Sequence, residues 1–192
     1  MARLLGHESS CPCCGAEQVL PRRGFLAAAV GVASWLVVPP ALAQSSTRSL
    51  TVRRQITNES FSGVYWRDGR YDREALRQLD IVFRDLSAAE PTPMDPRLFD
   101  VLVAVAEAVD STEGYDVISG YRTPETNAAR SLQSRRVSTV SLHMSGMAAD
   151  CRLPGRTTLD VARRAADLQL GGVGLYRRDG FMHLDCGPVR RW

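Results

Sequence analysis

Histidine is scarce in this chain: His7, His143 and His183 are all it has in 192 residues. Long apolar runs are scarce too. The longest useful one, Phe25 to Val38, has 14 residues, short of the roughly 20 that a membrane-spanning helix needs. There is no lysine, and the 24 arginines are nearly matched by 21 acids scattered among them. A net charge of +3 laid out in that way calls for no nucleic-acid partner. No repeat or low-complexity tract is present. The Gly-x-Ser-x-Gly elbow of serine hydrolases is also missing, so Ser141 and Ser145, which flank His143, make a poor nucleophile reading. What remains is an ordinary globular composition, 44% apolar and 23% charged, in a chain long enough for one domain with a sizeable core.

The first 43 residues read as an address. Arg22-Arg23 precedes the apolar run, and Ala41-Leu42-Ala43 supplies the small residues that signal peptidase needs, which predicts cleavage before Gln44. Arg22-Arg23 with Phe25-Leu26 resembles a twin-arginine export signal, with Pro21 in place of the usual Ser or Thr. The expected layout is a cleaved signal over 1–43 and one folded domain over 44–192, located in the periplasm, with no stable membrane insertion after cleavage and a monomer as the default state. The mature part keeps 21 positive and 19 negative residues. Cys11, Cys13, Cys14 and His7 leave with the signal, and Cys11-Pro12-Cys13-Cys14 lacks the second pair that a zinc finger requires.

Downstream, the periodicities predict a mixed helix and strand protein. Leu50 to Thr57 and Gly63 to Arg67 read as strands, with a turn at Asp68-Gly69. Asp72 caps a helix carrying Ala75, Leu76, Leu79, Val82, Phe83 and Leu86 on one face. Asp95 with Pro96 starts another, with Leu98, Phe99, Leu102, Val105, Ala106 and Val109. Tyr115 to Ser119 is a strand, Thr123-Pro124-Glu125 opens a short helix, and Thr157 or Thr158 opens one that Gly171-Gly172 ends. Val173 to Tyr176 and Phe181 to Asp185 are strands joined through Asp179-Gly180. The fold class is α+β.

Both histidines of the mature chain sit in apolar segments with carboxylates nearby: His143 is followed by Asp150, and His183 by Asp185. Two imidazoles and one carboxylate make a hydrolytic zinc site, because three protein ligands leave a fourth position for water. The alternative is a pair of hydrogen-bonded core histidines. Asp185, two residues beyond His183, shares its strand face and is placed either as general base or as the acceptor that orients His183. The alternation that puts Asp150 and Asp185 on that face turns Cys151 and Cys186 to the other, as a disulfide or as two buried thiols.

His143-x-x-Gly146-x-Ala148-x-Asp150 resembles the metal motif of the M15 peptidases, whose third ligand is matched by His183. The segments Ser119-Gly120-Tyr121-Arg122-Thr123-Pro124, Thr126-Asn127-Ala128, Ser141-Leu142-His143-Met144, Arg152-Leu153-Pro154-Gly155 and Gly171-Gly172-Val173-Gly174 are similar to the exported murein-endopeptidase branch of that family, over about Leu50 to Trp192. The resemblance implies a small antiparallel sheet with helices packed on one side, like that of Hedgehog and the D-alanyl-D-alanine peptidases. It implies Zn2+ on His143, Asp150 and His183. It places Arg122 at the substrate, with Ser119 and Tyr121 along the same cleft, and makes peptidoglycan stem peptides the partner. Cleavage of peptide cross-links is the expected reaction. Carboxypeptidase action on stem peptides, or a zinc-containing binding module without turnover, are the alternatives. The chain departs from the family twice: Gly180 stands where many members carry a Glu or His as base, and Asn58 to Gly63 replaces a His-Thr-Gly-Glu segment. The first departure leaves Asp185 as the base candidate, and the second leaves Glu59 as a possible extra carboxylate.

Overall fold

In β1 (Thr47–Arg54) every second residue from Leu50 is buried, the period of a strand with one face on a core. It pairs antiparallel with β2 (Glu59–Arg67), Val52 opposite Phe61, and β2 pairs with the short β3 (Arg70–Tyr71). The computed structural model describes residues 46–89, 91–134 and 137–192; the expected export signal and cleavage site lie outside them. Among the described residues no helix is long and apolar enough to cross a membrane. The described residues form one compact unit.

Helices start where a side-chain oxygen can take the free N–H groups of a first turn. The Asp72 carboxylate accepts from the N–H groups of Glu74 and Ala75 at 2.8 and 3.0 Å and opens α1 (Arg73–Phe83). Asp95 accepts from the Arg97 N–H and, with Pro96 at the first position, opens α2 (Pro96–Ala108). Thr123 caps α3 (Pro124–Gln133) and Thr157 caps α4 (Thr158–Leu168). α4 ends at Gln169, which takes the left-handed conformation at φ 56°. Gly171 and Gly172 therefore serve another purpose: a Cβ on Gly171 would stand 1.7 Å from the Asp185 carbonyl oxygen.

Five further strands complete the sheet: β4 (Tyr115–Ser119), β5 (Ala148–Arg152), β6 (Gly172–Tyr176), β7 (Phe181–Asp185) and β8 (Arg190–Arg191). The order is β3-β2-β1-β4-β5-β7-β6-β8. The sheet is larger than expected and is mixed, because β4 runs parallel to β1 and β8 parallel to β6. The reason for the first is the connection, since two whole helices separate β1–β3 from β4 and allow a crossover where a hairpin would force antiparallel pairing.

α1, α2 and α4 cover one face, as the resemblance implied; α3 borders the cleft on the other. The core between helices and sheet holds Leu79, Phe83, Phe99 and Leu102 against Val52, Tyr65, Cys151, Met182 and Leu184. Phe99 is its centre, edge-on to Phe83 at 5.5 Å and to Tyr65 at 6.0 Å. Phe99→Ala is expected to cost about 3–5 kcal/mol, because the cavity adds to the lost transfer energy; a urea titration showing under about 1 kcal/mol would contradict this packing.

Alternation then forces Asp150 and His183 to the opposite face from Cys151, Met182 and Leu184. They are direct cross-strand partners in β5 and β7. Cys151 and Cys186 are free thiols, not a disulfide. Cys151 lies opposite Met182, whereas the Cys186 N–H bonds to the Met147 carbonyl, four residues along β5's chain, which separates the thiols by roughly 13 Å.

Candidate metal centre

β4 carries a bulge: Val117 pairs with Cys151, but Ser119 pairs with Asp150. One extra residue on β4 thus turns Ser119 to the Asp150 face while Val117 stays in the core. At Gly120 the backbone presses against α1, where a Cβ would stand 2.2 Å from the Phe83 carbonyl oxygen. This close passage brings the Gly120 carbonyl under His143.

His143 sits in a 3-10 turn, Leu142–Ser145, opened by the Ser141 hydroxyl and closed by Gly146 at φ +67°. Gly146 has two reasons to be glycine, since a Cβ would also come within 2.8 Å of the Pro93 carbonyl oxygen. The ring Nδ1 lies 2.6 Å from the Gly120 carbonyl oxygen. An oxygen acceptor requires that Nδ1 carry the proton, so the Nε2 lone pair points inward.

Three donor atoms converge. His143 Nε2 is 3.2 Å from Asp150 Oδ1 and 3.2 Å from His183 Nδ1, and His183 Nδ1 is 3.1 Å from Asp150 Oδ1. A tetrahedral ion with bonds of about 2.0 Å has ligand-to-ligand edges of about 3.3 Å, so the triangle has the size of one face of a metal tetrahedron. Among the described residues it is the one group of three or more such side chains that can hold a metal.

Each donor is held from behind, as ligands of a metal are. Asp150 Oδ2 accepts from the Arg122 guanidinium, whose Nε–H donates to Ser119 Oγ at 3.0 Å. His183 Nε2 donates to Asp185 Oδ2 at 2.9 Å. Asp185 is fully buried. Its Oδ1 accepts from the N–H groups of Gly172 and Gly187, both at 2.9 Å, and Arg190 binds both carboxylate oxygens at 3.2 and 2.7 Å.

Protonation follows from these contacts. Burial alone would raise the Asp150 carboxyl, but His143, His183 and Arg122 outweigh it and hold the group far below the usual carboxylate range. Burial pushes His143 down, which favours the neutral ring that a metal takes. Burial also works against charge on His183, yet its bonds to Asp150 and Asp185 carry it upward overall. Asp185 opposes its own burial with the His183 bond and two backbone N–H bonds and is brought down to about 2. A depressed carboxyl contributes stability above its ordinary value of 3.8 and loses it as pH falls through about 2. Metal-free protein is therefore expected to lose roughly 2 kcal/mol between about pH 4 and pH 2 from this group. Thermal melts of chelated Asp185→Asn should show a flatter acid limb; an unchanged limb would rule the assignment out.

Of the two roles open to Asp185, its contacts fit the orienter: it binds the edge of His183 opposite the donor triangle, and both its oxygens are occupied. Tyr121 does not join the cleft. Its N–H bonds to the Phe83 carbonyl and its ring packs against the hydrophobic core. Glu59 also lies elsewhere, paired with Arg84 at 2.6 Å. Arg122 and Ser119 do line the cleft, but as the pair that steadies Asp150. The carboxylates lining it among the described residues are Asp150 and Asp179.

The cleft measures about 820 Å³, with the donor triangle at its floor and Arg130, Val140, Tyr176, Phe181 and Trp192 among its walls. Three elements of this centre were not read from the sequence: the Gly120 carbonyl, Arg190 and Trp192. The run Gly187 to Trp192 carries no motif that would have singled out Arg190 or Trp192.

The family described as "Peptidoglycan L,D-endopeptidase MepK" (Peptidase_M15_2) matches residues 42–192. The chain belongs to this M15 peptidase family. Among relatives, the peptidoglycan L,D-endopeptidase MepK of Escherichia coli K12 is 36% identical over 176 residues, covering 89% of this chain and 96% of that protein. The Shigella flexneri protein of the same name matches equally, and the probable MepK of Haemophilus influenzae is 36% identical over 168 residues, covering 84% and 90%. No solved structure matches the chain. M15 peptidases are metallopeptidases, and in this member the His143, Asp150 and His183 cluster can bind a metal.

Proposed function

We propose that this protein is a zinc-dependent peptidoglycan endopeptidase that cleaves peptide cross-links in the periplasm, working as a monomer. The observation that carries the reading is the donor triangle of His143, Asp150 and His183, with edges of 3.1 to 3.2 Å, at the floor of an open cleft. Two imidazoles and one carboxylate at that spacing suit zinc, which prefers nitrogen and oxygen donors in a tetrahedron. The curated relatives are named as L,D-endopeptidases of peptidoglycan, and the export signal read at 1–43 would deliver the enzyme to that polymer.

Bound there, zinc supplies Lewis acidity that activates water and polarises the amide carbonyl. The chain's own residues do the rest. Gly120 and Asp185 hold the two imidazoles in the tautomers that aim a lone pair inward. Arg122, itself bound to Ser119, turns the Asp150 carboxylate to the same point. The cleft leads to that point.

The test is a muropeptide profile of sacculi digested with the zinc-loaded protein and with a chelated control. Zinc-dependent loss of cross-linked dimers is expected. Loss of terminal D-alanine alone would make the protein a carboxypeptidase, and an unchanged profile from folded, zinc-loaded protein would overturn the enzymatic reading.

A further inference from the structure

Trp192 is held by more contacts than a surface tryptophan needs. Its N–H donates to the Val173 carbonyl at 3.2 Å and its carbonyl accepts from the Leu175 N–H at 3.1 Å, so its backbone extends the β8 pairing along β6. Its ring lies on Gly174, where a Cβ would stand 2.6 Å from the indole. The indole N–H donates to the Tyr176 hydroxyl at 3.4 Å, and the Arg190 guanidinium lies 5.1 Å over the ring. With all of these, Trp192 still keeps 53% of its surface exposed and lines the cleft. A half-exposed indole costs free energy in water, and so much fixation of such a ring is understandable when something covers its open part.

What covers it is set by position and chemistry. The ring centroid is 5.1 Å from that of His183. One extended residue spans about 3.3–3.6 Å, so a group resting on the indole belongs to the residue next to the amide at the donor triangle. The wall offers an aromatic surface, and the guanidinium over it, Arg190, is paired with Asp185. Such a face takes methyl and methylene groups. Tyr176 and Phe181, stacked at 4.6 Å, continue the same apolar side of the cleft.

We infer that Trp192 is a substrate-contacting specificity residue: its indole is the wall beside His183 against which the aliphatic side chain flanking the scissile amide packs. The inference rests on the peptidase reading above and names a subsite within it.

Steady-state hydrolysis of a purified cross-linked muropeptide dimer by the full-length, zinc-loaded protein tests it. Trp192→Ala is expected to raise KM roughly tenfold or more while kcat and bound zinc stay within about twofold, the signature of binding lost equally from ground and transition states. Trp192→Phe, which keeps an aromatic face, should recover most of the loss. In a Trp35→Phe, Trp66→Phe background, the emission of Trp192 should shift to shorter wavelength and saturate as the dimer is added. An unchanged KM in Trp192→Ala overturns the inference, as does a loss confined to kcat and zinc content, which would make the indole a support for His183. If the unsubstituted protein cleaves nothing, the peptidase reading fails, and the emission titration alone decides the wall: a saturable shift upholds it and a flat trace removes it.

Discussion

Exchanging His143 for alanine is expected to strip the protein of its metal and to lower cross-link hydrolysis by at least about a thousandfold. His143 is the donor that comes from outside the sheet. Asp150 and His183 are fixed to each other by strand pairing, but two donors in a β-ladder do not enclose an ion, and the 3-10 turn supplies the third direction. The fold should survive the change. The turn is set by Ser141 and Gly146, and the Arg122 N–H still bonds to the carbonyl of residue 143. Metal analysis beside far-ultraviolet circular dichroism checks both halves, and retention of hydrolysis by folded, metal-free protein would refute the assignment.

The second large effect should come from Asp185→Asn, and its form matters more than its size. As the acceptor behind His183, Asp185 acts on the metal only through that ring, so its loss should weaken zinc binding by roughly 10–100-fold. Saturating zinc should restore most of kcat. A general base at the same position would behave in the opposite way, with zinc affinity kept and kcat lost at any zinc concentration. Asparagine is the right replacement because its carbonyl oxygen can still accept from Gly172 or Gly187, which limits the damage to β6. A titration of activity against free zinc separates the two outcomes, and a kcat deficit that zinc does not repair would return Asp185 to the reacting atoms.

The parts of this molecule that could be read in advance are those decided locally. Asp72, Asp95, Thr123 and Thr157 each announced a helix because capping involves a side chain and the next two or three N–H groups. The donor set was legible because so few histidines were available to compete. The strand β5 was not set out as an element in its own right. Ala148-Ala149-Asp150-Cys151-Arg152 has little intrinsic preference for strand, and its conformation is imposed by β4 and β7 on either side. Tyr121, placed by resemblance alone, departs for a related reason: the chain leaves the strand at Gly120 under the pressure of Phe83, and the Tyr121 N–H bonds to the Phe83 carbonyl. Asp185 could not be assigned because base and orienter differ only in what lies behind the carboxylate, and Arg190, Gly172 and Gly187 reach it through tertiary structure. Gly171-Gly172 looked like a helix stop; their smallness is used instead to let the chain pass against Asp185.

The direct pairing of Asp150 with His183 makes chemistry hostage to alignment. Slide β7 by one residue along β5 and Met182 or Leu184 takes the place of the imidazole, the carboxylate loses its partner, and the ion has nowhere to sit. A hydrolase able to sever the wall that contains its own cell gains from such an arrangement: chains that are half-folded or mispaired are harmless, and competence arrives together with the finished sheet.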